Sequence, residues 1–507
     1  FVLLCIWLTG FFAGPTQAKV KVHSVSSPDG RLELQVVTQT GISFCLLHKG
    51  NVLVSSPALS MSLKDGTVLG PGARLISTKR THVNDKIPSP LYRKSIIQTR
   101  YNQLDFRFRE GFGIRFRIYD QGAAYQFYTT CKDSLYIVAE TAGFIFPKDY
   151  TSYIPYSRGE KNPFHNSFEN VYTVSSISEF NREKLAFLPL LVCLDNDLKM
   201  VITESDLESY PGMYLRGGKT SEGFAYEGVF APIPSGTRID RVRGQVIPTG
   251  YSKLLARTAG ERSFPWRIMA VAEKDTELPV NDLVYALGSP NRIGSADWIK
   301  PGKVAWDWWN NWGITGVDFR AGINTKTYKY FIDFAAANDI EYVVLDEGWS
   351  PPSGGDIMKV IPEIDLEELV SYANRKQVGL ILWCVGYVLD EKLEEACRKY
   401  SRMGFKGFKV DFMDRDDQPV VEMLYRIAKV ASRHKLLINL HGMYKPTGLN
   451  RTYPNIVNFE GVFGLEQSKW SREDLIPYDV TFPYIRMLAG PVDYTQGGLR
   501  NATRQDF

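Results

Sequence analysis

Asp411 ends a short apolar run, Gly407-Phe-Lys-Val-Asp411, and the chain turns polar just past it at Asp414-Arg-Asp-Asp417. Side chains alternate along a strand, so Lys409 and Asp411 face one way and Val410 and Phe412 the other. In a parallel barrel the C-terminal ends of the strands carry the catalytic groups, and a cation beside a carboxylate favours its ionised form. Asp411 is therefore a candidate nucleophile with Lys409 as its cation. Further polar groups stand just past other apolar runs: Asp307 between Trp306 and Trp308, Asp346-Glu347, His441, Glu460 and Glu466, and Asp493-Tyr494. Several carboxylates without a histidine base or a nucleophilic Ser or Cys motif point to carboxylate chemistry, of which glycoside hydrolysis is the leading case.

Each of these residues also has a plainer reading. Asp307 and Asp346 would cap the helices that follow their strands. Trp306, Trp308, Trp309 and Trp312 would pack a barrel interior, although aromatic density at a strand mouth also suits stacking on sugar rings. A lone His441 would be a structural hydrogen-bond partner. Glu460 and Glu466, set in Glu460-Gly-Val-Phe-Gly-Leu-Glu466, would be solvated surface charges.

Two kinds of element must position these groups. Up to about residue 275 the chain is built of short alternating segments such as Leu32-Glu-Leu-Gln-Val-Val and Gly113-Ile-Arg-Phe-Arg-Ile-Tyr, with turns at Pro28-Asp-Gly30 and Asp120-Gln-Gly122. Period-two alternation at this spacing predicts an antiparallel β-sandwich over residues 19–278. From residue 279, apolar runs alternate with helical stretches: Lys303-Val-Ala-Trp306, Tyr342–Asp346, Val378–Trp383, Gly407–Asp411, Leu436–His441, Asn455–Phe459 and Arg486–Asp493. That order predicts a parallel sheet covered on both faces. No Gly-rich phosphate turn follows the first strand, which favours a barrel over a doubly wound sheet. Seven runs where eight are needed make residues 279–507 a (β/α)8 TIM-type barrel, truncated before strand 8.

Composition narrows the partners. With 60 basic and 56 acidic residues the net charge is only +4, and no basic block is interleaved with aromatics, so nucleic acid is not an expected partner. A 44% hydrophobic content supports sizeable cores. Residues 1–18 pair an apolar run, Phe1-Val-Leu-Leu-Cys-Ile-Trp-Leu, with a small-residue cleavage site ending at Ala18, the pattern of an export signal. Lacking an initiator Met and a basic leader, this signal reads as incomplete at its start. The run is too short to span a bilayer and no second candidate follows, so no membrane span is expected once the signal is removed. Cys45, Cys131, Cys193, Cys384 and Cys397 show no Cys-x-x-Cys pair and read as buried small hydrophobes. Six His without a His-x-x-x-His pair give zinc no support.

The segments Lys409–Gln418, Asn439–Asn455, Glu460–Glu466 and Gly490-Pro-Val-Asp-Tyr494 resemble glycoside hydrolase family 97, and the resemblance extends over almost the whole chain. It implies an exported bacterial α-glycosidase, periplasmic or extracellular. Its parts would be an N-terminal β-sandwich, a (β/α) barrel, a C-terminal β-domain beyond this sequence, and a calcium ion in the active site. The family's inverting members carry a Glu base directly after the residue matching His441; here that position is Gly442. Its retaining α-galactosidase branch uses the strand-end Asp as nucleophile, here Asp411.

The resemblance further implies that Glu466 is the general acid/base. Calcium would be held by Glu460, Glu466 and, from the sandwich, Glu169. Lys409, His441, Arg451, Asp307 and Trp306 would contact the sugar. The expected substrate is an oligosaccharide ending in an α-galactosyl residue. An α-glucosidase with the same machinery is the enzymatic alternative. A sugar-binding protein with a degenerate barrel is the non-enzymatic one, and the presence of both Asp411 and Glu466 speaks against it.

Overall fold

Apolar alternation becomes sheet through the first half of the chain. The computed structural model describes residues 21–497 apart from 160–161, 241–242 and 352–354, so the expected signal over 1–18 lies outside the described residues. Leu32–Val37 buries every second side chain, and Ile96–Phe108, Phe112–Tyr119 and Gly122–Thr130 follow one another as an antiparallel meander. Between Val22 and Ala272 the described strands form antiparallel sheets of seven, ten, four and two strands. The two large sheets share one core, in which Leu34, Phe44 and Leu46 meet Phe106, Phe116 and Tyr125. Phe44 and Phe116 lie edge to face with centroids 6.1 Å apart.

The second half is a parallel sheet of six described strands in chain order: Val304–Trp306, Tyr342–Leu345, Gly379–Val385, Gly407–Asp411, Leu437–Leu440 and Ile456–Phe459. Helices such as Thr325–Ala337, Leu366–Arg375 and Gln418–Arg433 connect them. The last of these is set by Asp417, whose side chain accepts from the Val420 amide at 3.4 Å, and by Pro419 in its first turn. Its buried Val420, Leu424, Ile427 and Ala431 join Phe408 and Val410 in one core. Alternation therefore commits Lys409 and Asp411 to the opposite face of the strand.

The run expected as a seventh strand is helical in its first half. Residues 486–489 close the helix Phe482–Ala489, which buries Ile485, Leu488 and Ala489 at helical spacing. A short apolar run is ambiguous between strand and helix by periodicity alone, and here the 3.6-residue period prevails. Past it the Asp493 amide donates to Phe459 O at 2.7 Å, which lays residue 493 beside the sixth strand.

The two halves are joined by buried charge. The guanidinium of Arg267 lies between Glu140, at 2.7 Å, and Glu204, while Lys445 from the second half reaches Glu204 and stands 3.7 Å from Asp416. The five described cysteines form no disulfide; Cys45, Cys384 and Cys397 are buried, but Cys131 and Cys193 are only half-buried, contrary to expectation. No helix among the described residues is long and apolar enough to cross a membrane.

Candidate active site

Strand register assembles the site before any loop does. Trp383, Lys409 and Asn439 are direct neighbours across the third, fourth and fifth parallel strands, and Asp411 pairs with Val385 one pleat further on. The Asp411 carboxylate is fixed at both oxygens: Oδ2 accepts from Trp383 Nε1 at 2.9 Å, and Oδ1 from the Phe412 amide at 2.7 Å. Burial raises its pKa, and Lys409 and His441 act in the opposite direction. Trp383 escaped the sequence reading because it ends a wholly apolar strand and reads as packing; its parity with Lys409 was the available signal.

Gly442 stands against this carboxylate with φ +48°. A Cβ there would lie 2.6 Å from the Phe412 amide nitrogen and 2.7 Å from Asp411 Oδ1. Asp411 as placed and any side chain at 442 thus compete for one volume. Gly442→Ala is expected to lower unfolding stability by about 1–3 kcal/mol through this overpacking and to lower kcat as the Asp411 carboxylate shifts. Chemical denaturation and steady-state kinetics check it, and unchanged values in both would show that the loop yields freely.

Next to Asp411, three acidic groups gather around one imidazole. His441 Nε2 lies 2.8 Å from Asp493 Oδ2 and Nδ1 lies 3.3 Å from Glu460 Oε1. Burial disfavours the charged ring, but Glu460 and Asp493 outweigh it and raise its pKa well above the ordinary value. Glu460 also accepts from the Gly442 amide at 2.7 Å; against the opposing effect of burial, His441 and these hydrogen bonds hold its pKa at about 2. Glu466 is pushed the other way, well above the usual carboxyl range, first by burial and then by the charge of Glu460. Two neighbouring carboxyls with pKa values driven apart are the mark of an ionised partner beside a proton donor.

Ligand atoms of His441, Glu460 and Glu466 lie within 4.8 Å of one another. Glu169 approaches from the antiparallel half, where Gln467 Nε2 donates to its Oε2 at 2.7 Å. Its pKa is raised well above normal by burial, then by Glu460 and Glu466. With the imidazole already engaged at both nitrogens, the donors left for a metal are carboxylate oxygens. That set fits a hard cation such as calcium.

A second layer holds the first. Lys409 Nζ donates to Asp346 Oδ2 at 2.9 Å and lies 4.1 Å from the centroid of the Trp306 ring, whose Nε1 bonds the same carboxylate at 2.5 Å. Asp307 accepts from Tyr328 Oη at 2.6 Å and from the Asp346 amide at 3.3 Å; burial and then Asp346 raise its pKa to about 7. Neither aspartate caps a helix through its side chain, and Asp307 supports Asp346 from behind. Trp309 is buried, whereas Trp308 stacks on Trp306 at 5.7 Å and lies under Lys469 Nζ, 3.3 Å from its ring centroid.

Arg451 is placed elsewhere. It donates to the carbonyls of Ala286 and, at 2.7 Å, Gly288, closing the short helix Leu283–Leu287. By Asn455, whose carbonyl accepts from the Ile438 amide at 2.8 Å, the chain has already returned to the entry end of the fifth strand. Arg451 lies on that return path, away from the mouth.

A family model described as Glycosyl-hydrolase 97 N-terminal matches residues 25–290, and one described as Glycoside hydrolase 97 matches residues 308–462. A curated "Retaining alpha-galactosidase" of Bacteroides thetaiotaomicron is 44% identical over all of this chain and 77% of its own length. A "Probable retaining alpha-galactosidase" of Streptomyces bingchenggensis is 27% identical over 98% of this chain and 74% of its own. Two solved structures share the fold at 23% identity. A family 97 enzyme from Pseudoalteromonas sp. strain K8 in complex with acarbose superposes with a TM-score of 0.80 over 94% of this chain and 74% of its own. A beta-arabinopyranosidase does so with a TM-score of 0.75 over 95% of this chain and 77% of its own.

Proposed function

The chain belongs to glycoside hydrolase family 97 and is a retaining glycoside hydrolase, and from that premise we propose that it is an exported, calcium-dependent exo-α-galactosidase. Asp411 is the nucleophile and Glu466 the general acid/base. The observation that carries the reading is the contact between Asp411 and Gly442. Inversion needs a second carboxylate holding a water beside the anomeric carbon, and at residue 442 a Cβ would collide with Asp411 Oδ1 at 2.7 Å. The wall that would hold a base holds the nucleophile instead.

The chemistry follows from the charges. Asp411 Oδ attacks the anomeric carbon, the glycosidic bond breaks, and Glu466 passes its proton to the departing oxygen. Water then gives a proton back to Glu466 and displaces Asp411, so two inversions retain configuration. Lys409, His441 and Trp306 line the volume where sugar hydroxyls would sit, with Asp307 behind them. Six parallel strands in chain order are the kind of sheet from which a (β/α) barrel closes.

Glu169, Glu460 and Glu466 would hold calcium, which when bound supplies positive charge near the departing oxygen. Prolonged treatment with EGTA is expected to lower both activity and melting temperature, and calcium to restore them. Calcium at about 100 times its Kd adds about 2.7 kcal/mol of stability. No change in either quantity would remove calcium from the reading.

The bacterial relatives and the residue 1–18 signal support a periplasmic or extracellular setting. The deciding experiment compares nitrophenyl α-galactoside with nitrophenyl α-glucoside on the full-length protein. A higher kcat/KM on the galactoside is expected; preference for the glucoside would make the enzyme an α-glucosidase, and binding of galactose without turnover would make it a sugar-binding protein.

A further inference from the structure

The geometry points to a second role for the antiparallel half: its hairpin Pro234–Ile239/Val246–Tyr251 positions the nucleophile, with Gln245 as the positioning residue. This rests on Asp411 being the nucleophile. Both residues flanking Met413 have left-handed backbones, Phe412 at φ +61° and Asp414 at φ +49°, although neither is glycine. Each such residue is strained and persists only where its surroundings impose it. The conformation at Phe412 has a direct consequence, because the amide it turns back is the one bonded to Asp411 Oδ1 at 2.7 Å.

Much of what imposes it comes from the other half of the chain. Gln245 Nε2 donates to Asp414 Oδ2, and the Asn166 amide donates to Asp414 O at 2.7 Å. Arg415 Nη1 reaches Val246 O at 2.9 Å. The Gly212 amide and Tyr214 Oη hold Asp416 O and Oδ1, each at 2.9 Å. The Phe412 ring lies edge to face on Trp383 at 5.6 Å, and the Arg243 guanidinium is 5.2 Å from its centroid. Within the second half, the Asp414 amide donates to Gly442 O at 2.7 Å, so the same loop is tied to the residue that faces Asp411. Among the described residues Gln245 is the side chain from the antiparallel half that hydrogen-bonds Asp414, and it is buried.

The test compares four full-length proteins: wild type, Gln245→Leu, Asp411→Gly and the double variant. Gln245→Leu is expected to lower kcat on nitrophenyl α-galactoside on the order of 10²-fold, the effect of a displacement of about 1 Å in a reacting group, with KM changed less than threefold. Gln245→Glu, which sets a second carboxylate against Asp414, should cost at least as much. In the Asp411→Gly background azide attacks in place of the carboxylate and has no need of the loop, so Gln245→Leu should leave the azide-supported rate within about twofold. Full kcat in Gln245→Leu overturns the proposal. So does an equal loss in the azide-supported reaction, which would mark Gln245 as a general support of the fold; melting temperatures of all four proteins are measured alongside. Absence of any azide rescue in Asp411→Gly alone would overturn the nucleophile assignment, and this proposal with it.

Discussion

Asp411→Gly is expected to lower kcat on the natural substrate by on the order of 10⁴-fold or more, and added azide to restore turnover with a glycosyl azide of inverted configuration as product. The variant removes the attacking oxygen but leaves Glu466 to protonate the departing group. Azide enters the space vacated between Trp383 and Gly442, forms the bond to the anomeric carbon, and releases the leaving group with the Glu466 proton. Inversion follows because a single displacement replaces two. Trp383 Nε1 and the Phe412 amide lose their acceptor, each at about 1–3 kcal/mol while it stays unsatisfied. Circular dichroism of the variant therefore accompanies the kinetics. Near-normal hydrolysis without azide would sink the assignment of Asp411.

The strand-end carboxylate was legible because alternation and the apolar-to-polar switch at Asp411 are local signals. The parallel order was legible for the same reason at six of seven runs. Failure came at Arg486–Ala489, where four residues carry too little periodicity to separate strand from helix, and at Arg451, where closeness in sequence to His441 conceals a return across the sheet. Asp346 was visible as a mouth acid but not as the partner of Lys409, since that pairing joins the ends of two strands. Gln245 and Asn166 were invisible: they sit in turns of the antiparallel half, and only the packing of one half on the other brings them to the loop after Asp411.

Glu466→Gln is the complementary experiment, and its expected effect depends on the leaving group. General acid catalysis contributes roughly 10²–10⁴-fold, so an oligosaccharide substrate should lose about that much in kcat/KM. A nitrophenyl substrate, whose leaving oxygen departs without a proton, should lose much less in the first step and accumulate the glycosyl-enzyme on Asp411. The pH profile separates this role from metal binding. Burial and the Glu460 charge raise the pKa of the Glu466 carboxyl and a bound calcium would oppose them, and wild-type kcat/KM falls as pH rises through the value that results. On the acidic side it falls as pH drops through the value at which Asp411, raised by burial against Lys409 and His441, takes up a proton. Glu466→Gln should flatten the basic limb and leave the acidic one. If saturating calcium restored full activity to the variant, Glu466 would be a metal ligand alone and the proton donor would have to be sought elsewhere.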